Sequence, residues 1–288
     1  MPLIDYDIWG NKIDKVKIAI SRIKSFDPLQ FSDNPYYTAY SGGKDSDVIR
    51  ILCHLASVKH DLVHNHTTVD APETVHYIRS IPNIQIEMPE ISMWKLIVKK
   101  GMPPTRLARY CCSELKEKGG KNRIVITGVR WAESNKRKTN RGLAEVLPSN
   151  SKNNLILNQD NDESRRLFEN CTMKGKRIIN PIIDWTDDEV WEFLNYYGCE
   201  SNPLYQCGYK RVGCVGCPMS TRQKQEFLHY PKYKQNYINA FDKMILSNIS
   251  KGSTIDENWS SGENVFKWWV DNVKKQLELE GQFEIGGV

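Results

Sequence analysis

Six consecutive residues, Ser41-Gly42-Gly43-Lys44-Asp45-Ser46, bring two hydroxyls, two glycines, an ammonium and a carboxylate into one short stretch. A β-prone run, Tyr36-Tyr37-Thr38-Ala39-Tyr40, precedes them. Asp47-Val48-Ile49-Arg50-Ile51-Leu52, which reads as a helix, follows. A backbone that turns sharply at Gly-Gly aims several N–H groups at one point, and the helix start adds its unpaired N–H groups and the positive end of its dipole. That chemistry holds phosphate or pyrophosphate. The pattern is not GxxxxGK[ST].

A second constellation is built from thiols. Cys111 and Cys112 are adjacent, and Cys214-Val215-Gly216-Cys217 is a Cys-x-x-Cys lying 102 positions beyond Cys112. A Cys-x-x-Cys turn sets two thiolates on one metal or cluster, and a distant pair can close the site. Four thiolates suit tetrahedral zinc or a [4Fe–4S] cluster. Adjacent cysteines favour the cluster, where neighbours can bind different irons, and zinc stays the alternative. Of the eight cysteines, Cys53 reads as core, Cys207 as a bystander or near-site thiol, and Cys171 and Cys199 carry no motif.

Strands alternating with helices must position these groups. Segments 36–40, 61–67, 83–88 and 123–127 read as strands. Residues 44–57, 71 onward, 92–100 and 109–118 read as helices. This predicts an α/β fold with a doubly wound, mostly parallel sheet and a helical C-terminal appendage. An amphipathic helix over 11–26 uses Ile13, Val16, Ile20 and Ile23. Thr186-Asp187-Asp188-Glu189 is a capping box that opens a helix. Helices over about 222–249 and 263–279 follow, and Trp268-Trp269 reads as helix packing. Residues 138–177 are polar with little periodicity and read as a long excursion, a candidate lid. The expected organisation is an N-terminal helical segment over 1–30, a nucleotide domain over 31–220 that includes the thiols, and a C-terminal helical region over 221–288. His64 and His66 alternate on a strand with one face in the core, which argues against a catalytic histidine.

At 288 residues with a formal charge of +5, the chain is long enough for a large core and is compatible with nucleotide or nucleic-acid partners without requiring them. No apolar run approaches a membrane span, and the first residues lack a signal-peptide pattern, so a cytoplasmic protein with no membrane partner is expected. Eight cysteines in a reducing compartment point to metal or redox chemistry rather than disulfides.

Ser41–Ser46 resembles the pyrophosphatase loop of the N-type ATP pyrophosphatases, the PP-loop superfamily. The paired cysteines with a downstream Cys-x-x-Cys resemble the iron–sulfur members of the phosphoadenosine phosphosulfate (PAPS) reductase family within it. Arg109–Lys116, Thr68–Thr74, Gly128–Ser134 and Asn202–Tyr205 are similar to that family too. The resemblance implies an adenine nucleotide alpha hydrolase-like fold with ATP across the C-terminal ends of the strands. It implies that Ser41, Gly42, Gly43, Lys44, Asp45 and Ser46 wrap the β- and γ-phosphates and that Asp45 helps to hold Mg²⁺. Thr67 and Thr68 would meet adenosine. Arg130 would reach the α-phosphate, and Glu133, Ser134 and Arg137 follow in its loop.

PAPS reductases use a cysteine near the C-terminus and tend to have a degenerate loop. Here the loop is intact, and no cysteine follows Cys217. The expectation is therefore ATP cleavage to AMP and pyrophosphate, which activates an acceptor for sulfur transfer. The analogy is to DNA phosphorothioation proteins, with tRNA thiolation as a variant. DNA or tRNA, a cysteine desulfurase as sulfur donor, and a homodimer are the partners considered. The alternatives are a PAPS or adenylyl sulfate reductase, and a non-catalytic nucleotide- or nucleic-acid-binding module with structural zinc.

Overall fold

The computed structural model describes residues 2–30, 32–148, 155–158, 175–253 and 256–279. The chain forms two compact units. The first comprises residues 1–65, 72–87 and 119–212, and the second comprises 66–71, 88–118 and 213–288.

The first unit is built on a seven-stranded sheet. Its strands are β3 (Tyr36–Ala39), β4 (His60–Asn65), β5 (Ile84–Glu87), β6 (Ile124–Ile126), β7 (Ala144–Pro148), β8 (Leu155–Leu157) and β9 (Gly175–Ile179), in the order β5-β4-β3-β6-β9-β7-β8. The five strands from β5 to β9 run parallel, with Thr38 opposite both Leu62 and Ile126. β7 pairs antiparallel with β9 and β8. Central parallel strands are buried on both faces, which is why Tyr36–Thr38 and Ile124–Ile126 carry no alternation. Helices α1 (Lys15–Ser25), α2 (Lys44–Ala56) and α7 (Asp187–Tyr196) pack into one large core through Val16, Ile23, Val48, Leu52, Val190 and Phe193. Cys53 lies in this core, and burial raises its thiol to about 12. Helix α3 (Pro72–Ser80) sets Ile78 against Tyr40 and Leu62. The fold class is the expected one.

Three local expectations need correction. The N-terminal segment is a hairpin, β1 (Ile4–Tyr6) with β2 (Lys12–Asp14), before α1. Ile13 pairs across to Asp5, so the apolar stripe attributed to one helix is shared with a strand. The polar excursion is entered by a short helix, α6 (Asn135–Asn140), and contains β7 and β8. Its remaining positions, 149–154 and 159–174 with Cys171, lie outside the described residues. The helix expected over 222–249 is two helices, because Pro231 cannot continue the first.

The second unit is helical. It holds α4 (Met93–Lys100), α5 (Tyr110–Leu115), α8 (Gln223–His229), α9 (Pro231–Ser250) and α10 (Gly262–Leu279). Ser92 caps α4 by accepting from the Lys95 N–H, and Gly101 ends it at φ +69°. Trp269 is buried, with its indole N–H on the Pro104 carbonyl at 2.6 Å, so it packs the helices as expected. Among the described residues no helix is long and apolar enough to cross a membrane.

Candidate functional site

In the first unit, β3 delivers Tyr40 to a turn at Ser41–Gly43, and α2 begins at Lys44. Gly42 has φ +74°, and a Cβ there would sit 3.0 Å from the Ile78 side chain, so the turn needs glycine on both counts. Its carbonyl accepts from the Asn202 amide at 3.0 Å, which also donates to Thr74 Oγ1 at 3.0 Å. The Ser46 hydroxyl closes the helix start. It accepts from the Gly43 N–H at 3.1 Å and donates to the Gly43 carbonyl at 2.7 Å. Ser41 Oγ lies 3.4 Å from Ser46 Oγ. The Lys44 N–H donates to the Tyr205 hydroxyl at 2.9 Å.

Above this turn sits a quartet of charges. Lys44 Nζ is 2.8 Å from Asp187 Oδ1 and 3.7 Å from Asp45 Oδ2. Arg130 donates from Nη2 to Asp187 Oδ1 at 2.5 Å, from Nε to Asp45 Oδ1 at 2.7 Å, and from Nη1 to the Trp185 carbonyl at 3.1 Å. Arg130 is 1% exposed and Lys44 6%, so both cations are buried and fixed rather than mobile. Burial pushes the Asp187 carboxyl up, but Lys44 and Arg130 outweigh it and hold the group below its ordinary value. Glu133 accepts from the Arg130 N–H at 3.2 Å and pairs with Arg137. Burial first, then Arg211, lowers the Arg137 guanidinium to about 10.

The sequence analysis singles out Ser41–Ser46, Arg130, Glu133 and Arg137, and the structure places all of them in this unit. It missed Asp187, Tyr205 and Asn202. Asp187 was visible only as a member of the capping box, which the structure confirms, with Thr186 accepting from the Glu189 N–H and Glu189 from the Thr186 N–H. Asn202 and Tyr205 were noted only as part of a motif.

The second unit gathers the thiols. Cys111 and Cys112 stand on α5, and Cys214 and Cys217 on a turn. Gly216 in that turn has φ +72°, and a Cβ would strike the Phe227 ring at 2.3 Å. Its N–H donates to Glu226 Oε2 at 2.8 Å, and its carbonyl accepts from Gln223 at 2.9 Å. The Val215 carbonyl accepts from the Tyr237 hydroxyl at 3.1 Å. Cations flank the sulfurs. Arg109 Nη2 lies 3.5 Å from Cys112 Sγ, and the Cys214 sulfur leads the causes that raise the Lys116 ammonium. A hydrogen bond from Cys111, backed by Arg109, lowers Cys112 to about 5, while the same bond drives Cys111 upward. Burial lifts Cys214 to about 11.

Thr67 and Thr68 belong to this unit and use their hydroxyls within it. Thr67 Oγ1 accepts from Cys214 Sγ at 3.4 Å, and Thr68 Oγ1 accepts from the Met93 N–H at 2.9 Å. Asp70 accepts from the Thr67 N–H at 2.7 Å and faces His66 Nδ1 at 3.1 Å. His64 is buried in β4, with Nδ1 2.9 Å from the Tyr40 carbonyl.

Known proteins are similar to parts of this chain. An adenosine 5'-phosphosulfate reductase of Bacillus cereus is 21% identical over 229 residues, covering 75% of this chain and 89% of that protein. An uncharacterized protein of Methanocaldococcus jannaschii is 26% identical over 245 residues, covering 81% of this chain and 52% of that protein. The chain thus spans about half the length of that curated relative. Among solved structures, the U34-tRNA thiolase NcsA from Methanococcus maripaludis, with its [4Fe-4S] cluster, is 13% identical. It covers 86% of this chain and 84% of its own at a TM-score of 0.40. The phosphoadenylyl-sulfate reductase of Candida auris is 17% identical, covering 73% and 97% at a TM-score of 0.42. The model of the phosphoadenosine phosphosulfate reductase domain matches residues 35–220, well over half of the chain and the whole stretch from the glycine turn to the second cysteine pair. The chain therefore belongs to the phosphoadenosine phosphosulfate reductase family.

Proposed function

We propose that the chain cleaves ATP to AMP and pyrophosphate and so activates a nucleic-acid acceptor for sulfur transfer. The observation that carries this reading is the pair of buried cations, Lys44 and Arg130, held over an intact glycine turn at a helix N-terminus. In the reaction, an acceptor oxygen attacks the α-phosphorus and a new O–P bond forms. The bond from the α-phosphorus to the bridging oxygen breaks, pyrophosphate leaves with the electron pair and any acceptor proton passes to solvent; AMP is freed afterwards, when sulfide-level sulfur from a donor attacks the activated acceptor and the acceptor–oxygen bond breaks. Ser41–Ser46 bind the outer phosphates, for which the Gly43 and Lys44 N–H groups exchange their present bonds to the Ser46 and Tyr205 hydroxyls, and Lys44 offsets the phosphate charge. Arg130 stabilises the charge that builds as pyrophosphate departs. Mg²⁺ would be held by Asp45 with the phosphates, since hard cations take oxygen ligands. Glu133 and Arg137 support the Arg130 loop.

Cys111, Cys112, Cys214 and Cys217 would hold a [4Fe–4S] cluster, which with all four irons ligated would brace the site, and would take up sulfide only if one thiolate released its iron. The donor set fits. All four thiols are free, and cations stand beside two of them. The adjacency of Cys111 and Cys112, neighbours that can bind different irons, favours the cluster over zinc.

The test is anaerobic purification with iron, sulfide and zinc assays, followed by turnover of ATP labelled at the α-phosphate. AMP and pyrophosphate are expected, and ADP with orthophosphate would overturn the proposed bond cleavage. The relative among adenosine 5'-phosphosulfate reductases favours one second reading, reduction of a sulfonucleotide. Sulfite release from adenylyl sulfate or PAPS, without AMP from ATP, would establish it instead.

A further inference from the structure

Helices α4 and α9 of the second unit pack together and leave a groove of about 420 Å³ that neither constellation above uses. Its lining includes Trp94, Lys95 and Val98 from α4 with Asn236, Asn239 and Lys243 from α9. No acidic residue lines it. Trp94 is half-buried, and its ring is pinned edge-on to Tyr237 at 4.9 Å and 82°. Lys95 and Lys243 are exposed and have no ion-pair partner among the described residues. Asn236 offers an exposed amide, and Asn239 keeps its NH₂ while its oxygen accepts from Gln235 at 3.0 Å.

On α9 these residues continue a stripe. Lys232, Asn236, Asn239 and Lys243 recur at i, i+4, i+7 and i+11, which puts them on one face of the helix. At 1.5 Å per residue the stripe is about 16 Å long, with a lysine at each end and amides between. A groove floored by a fixed indole, edged by amides and closed by unpaired ammonium groups matches one ligand chemistry well. The base has a π-face to stack, polar edges to bond and a phosphate on each side.

We infer that this groove binds single-stranded nucleic acid. A base stacks on Trp94, Asn236 and Asn239 meet base edges, and Lys95 and Lys243 neutralise phosphates. A duplex does not suit the site, because its bases already stack on one another and hide their faces. An acidic peptide would use the two lysines but leave the indole and both amides without a role. The inference rests on the nucleic-acid acceptor proposed above and names its form, a single strand, and the residues that hold it.

The experiment measures binding of a fluorescein-labelled oligothymidylate about 12 nucleotides long by anisotropy, without ATP, with an oligouridylate of equal length in parallel. Trp94→Ala should weaken binding roughly 5- to 150-fold, the range for losing one stacked base. Trp94→Phe, which keeps a ring, should restore most of it. Lys95→Ala with Lys243→Ala should lower the slope of log affinity against log salt by about 1.4, or about 0.7 for each lost phosphate contact. Unequal binding of the two oligomers assigns DNA or RNA. Wild-type protein that fails to bind either, Trp94→Ala that binds like wild type, or a polyglutamate of equal charge that competes equally would each overturn the inference. ATP turnover is read separately, with the oligonucleotide supplied as acceptor and sulfide as sulfur source. A wild-type protein that binds the strand but forms no AMP refutes the proposed reaction alone, and the converse refutes the groove alone.

Discussion

The two constellations solve opposite electrostatic problems. In the first unit, two buried cations face two carboxylates, so Lys44 and Arg130 are already neutralised and held in place by Asp45 and Asp187. In the second, four thiols stand together and repel one another once ionised. Their neighbours Arg109 and Lys116 compensate only in part. A site that binds an anion can be organised in advance by protein charge of both signs. The thiols keep most of their protons instead: only Cys112 is drawn below its ordinary value, by Cys111 and Arg109, while Cys111 and Cys214 are raised. Burial alone does not explain the contrast. In the first unit, Asp187 lies below its ordinary value beside two cations, while Asp47, seated in the same unit, lies above it.

The sharpest way to break this comparison is at Arg130, which serves both carboxylates of the quartet and the Trp185 carbonyl. Arg130→Ala should cut AMP formation by about 10²- to 10³-fold, the usual loss when one preorganised donor to developing charge is removed. Arg130→Lys should recover only part of it, because a single ammonium cannot occupy three acceptors as the guanidinium fork does. Steady-state turnover of α-labelled ATP measures both. Activity within threefold of wild type in Arg130→Ala would remove the arginine from the reaction.

The next effect isolates burial from pairing. Asp47 is fully buried in the first turn of α2. It accepts from the Tyr40 hydroxyl at 2.6 Å and from Ser201 at 3.3 Å. Desolvation dominates and raises its carboxyl from 3.8 to about 6, against the lowering from those bonds and from Arg50. The folded protein therefore keeps a proton that the unfolded chain releases. Between about pH 4 and pH 6 this group makes stability fall as pH rises, by about 3 kcal/mol if the whole shift is expressed. Asp47→Asn carries no titrating proton, so its stability relative to wild type should improve from pH 4 to pH 7. Denaturant unfolding of both proteins across that range tests this. A difference that stays flat with pH would show that the carboxyl titrates normally.

How much of this was legible follows from the range of the interactions. The glycine turn and the Thr186 capping box depend on residues within four positions of each other, and the structure forms both. Asp187, Tyr205 and Asn202 reach the turn from 143 to 161 positions away, a distance no local pattern encodes. The strand pair Ala144–Pro148 and Leu155–Leu157 was hidden because short strands in polar surroundings owe their existence to pairing rather than to their own periodicity. The break at Pro231 could have been read, since proline opens a helix far more readily than it continues one. Trp94 carried no signal at all. A lone tryptophan on an amphipathic helix looks the same whether it faces a core or a groove.

The smallest effect tests the second half of the comparison, that the thiol site is charged before it is filled. In metal-free protein, Cys112 is held near 5 mainly by the hydrogen bond from Cys111 and then by Arg109 at 3.5 Å. It is therefore a thiolate at neutral pH and becomes a thiol only below about pH 5, whereas half-buried Cys214 stays protonated until about pH 11. The rate of Cys112 alkylation by iodoacetamide, followed by peptide mass spectrometry, should rise through a midpoint near pH 5. Arg109→Ala should move that midpoint up by about one unit, since the lost cation favoured only the ionised form. A midpoint near 9, unmoved by the substitution, would mean that the four sulfurs wait as neutral thiols, and the contrast between the two units would then be one of burial and not of charge.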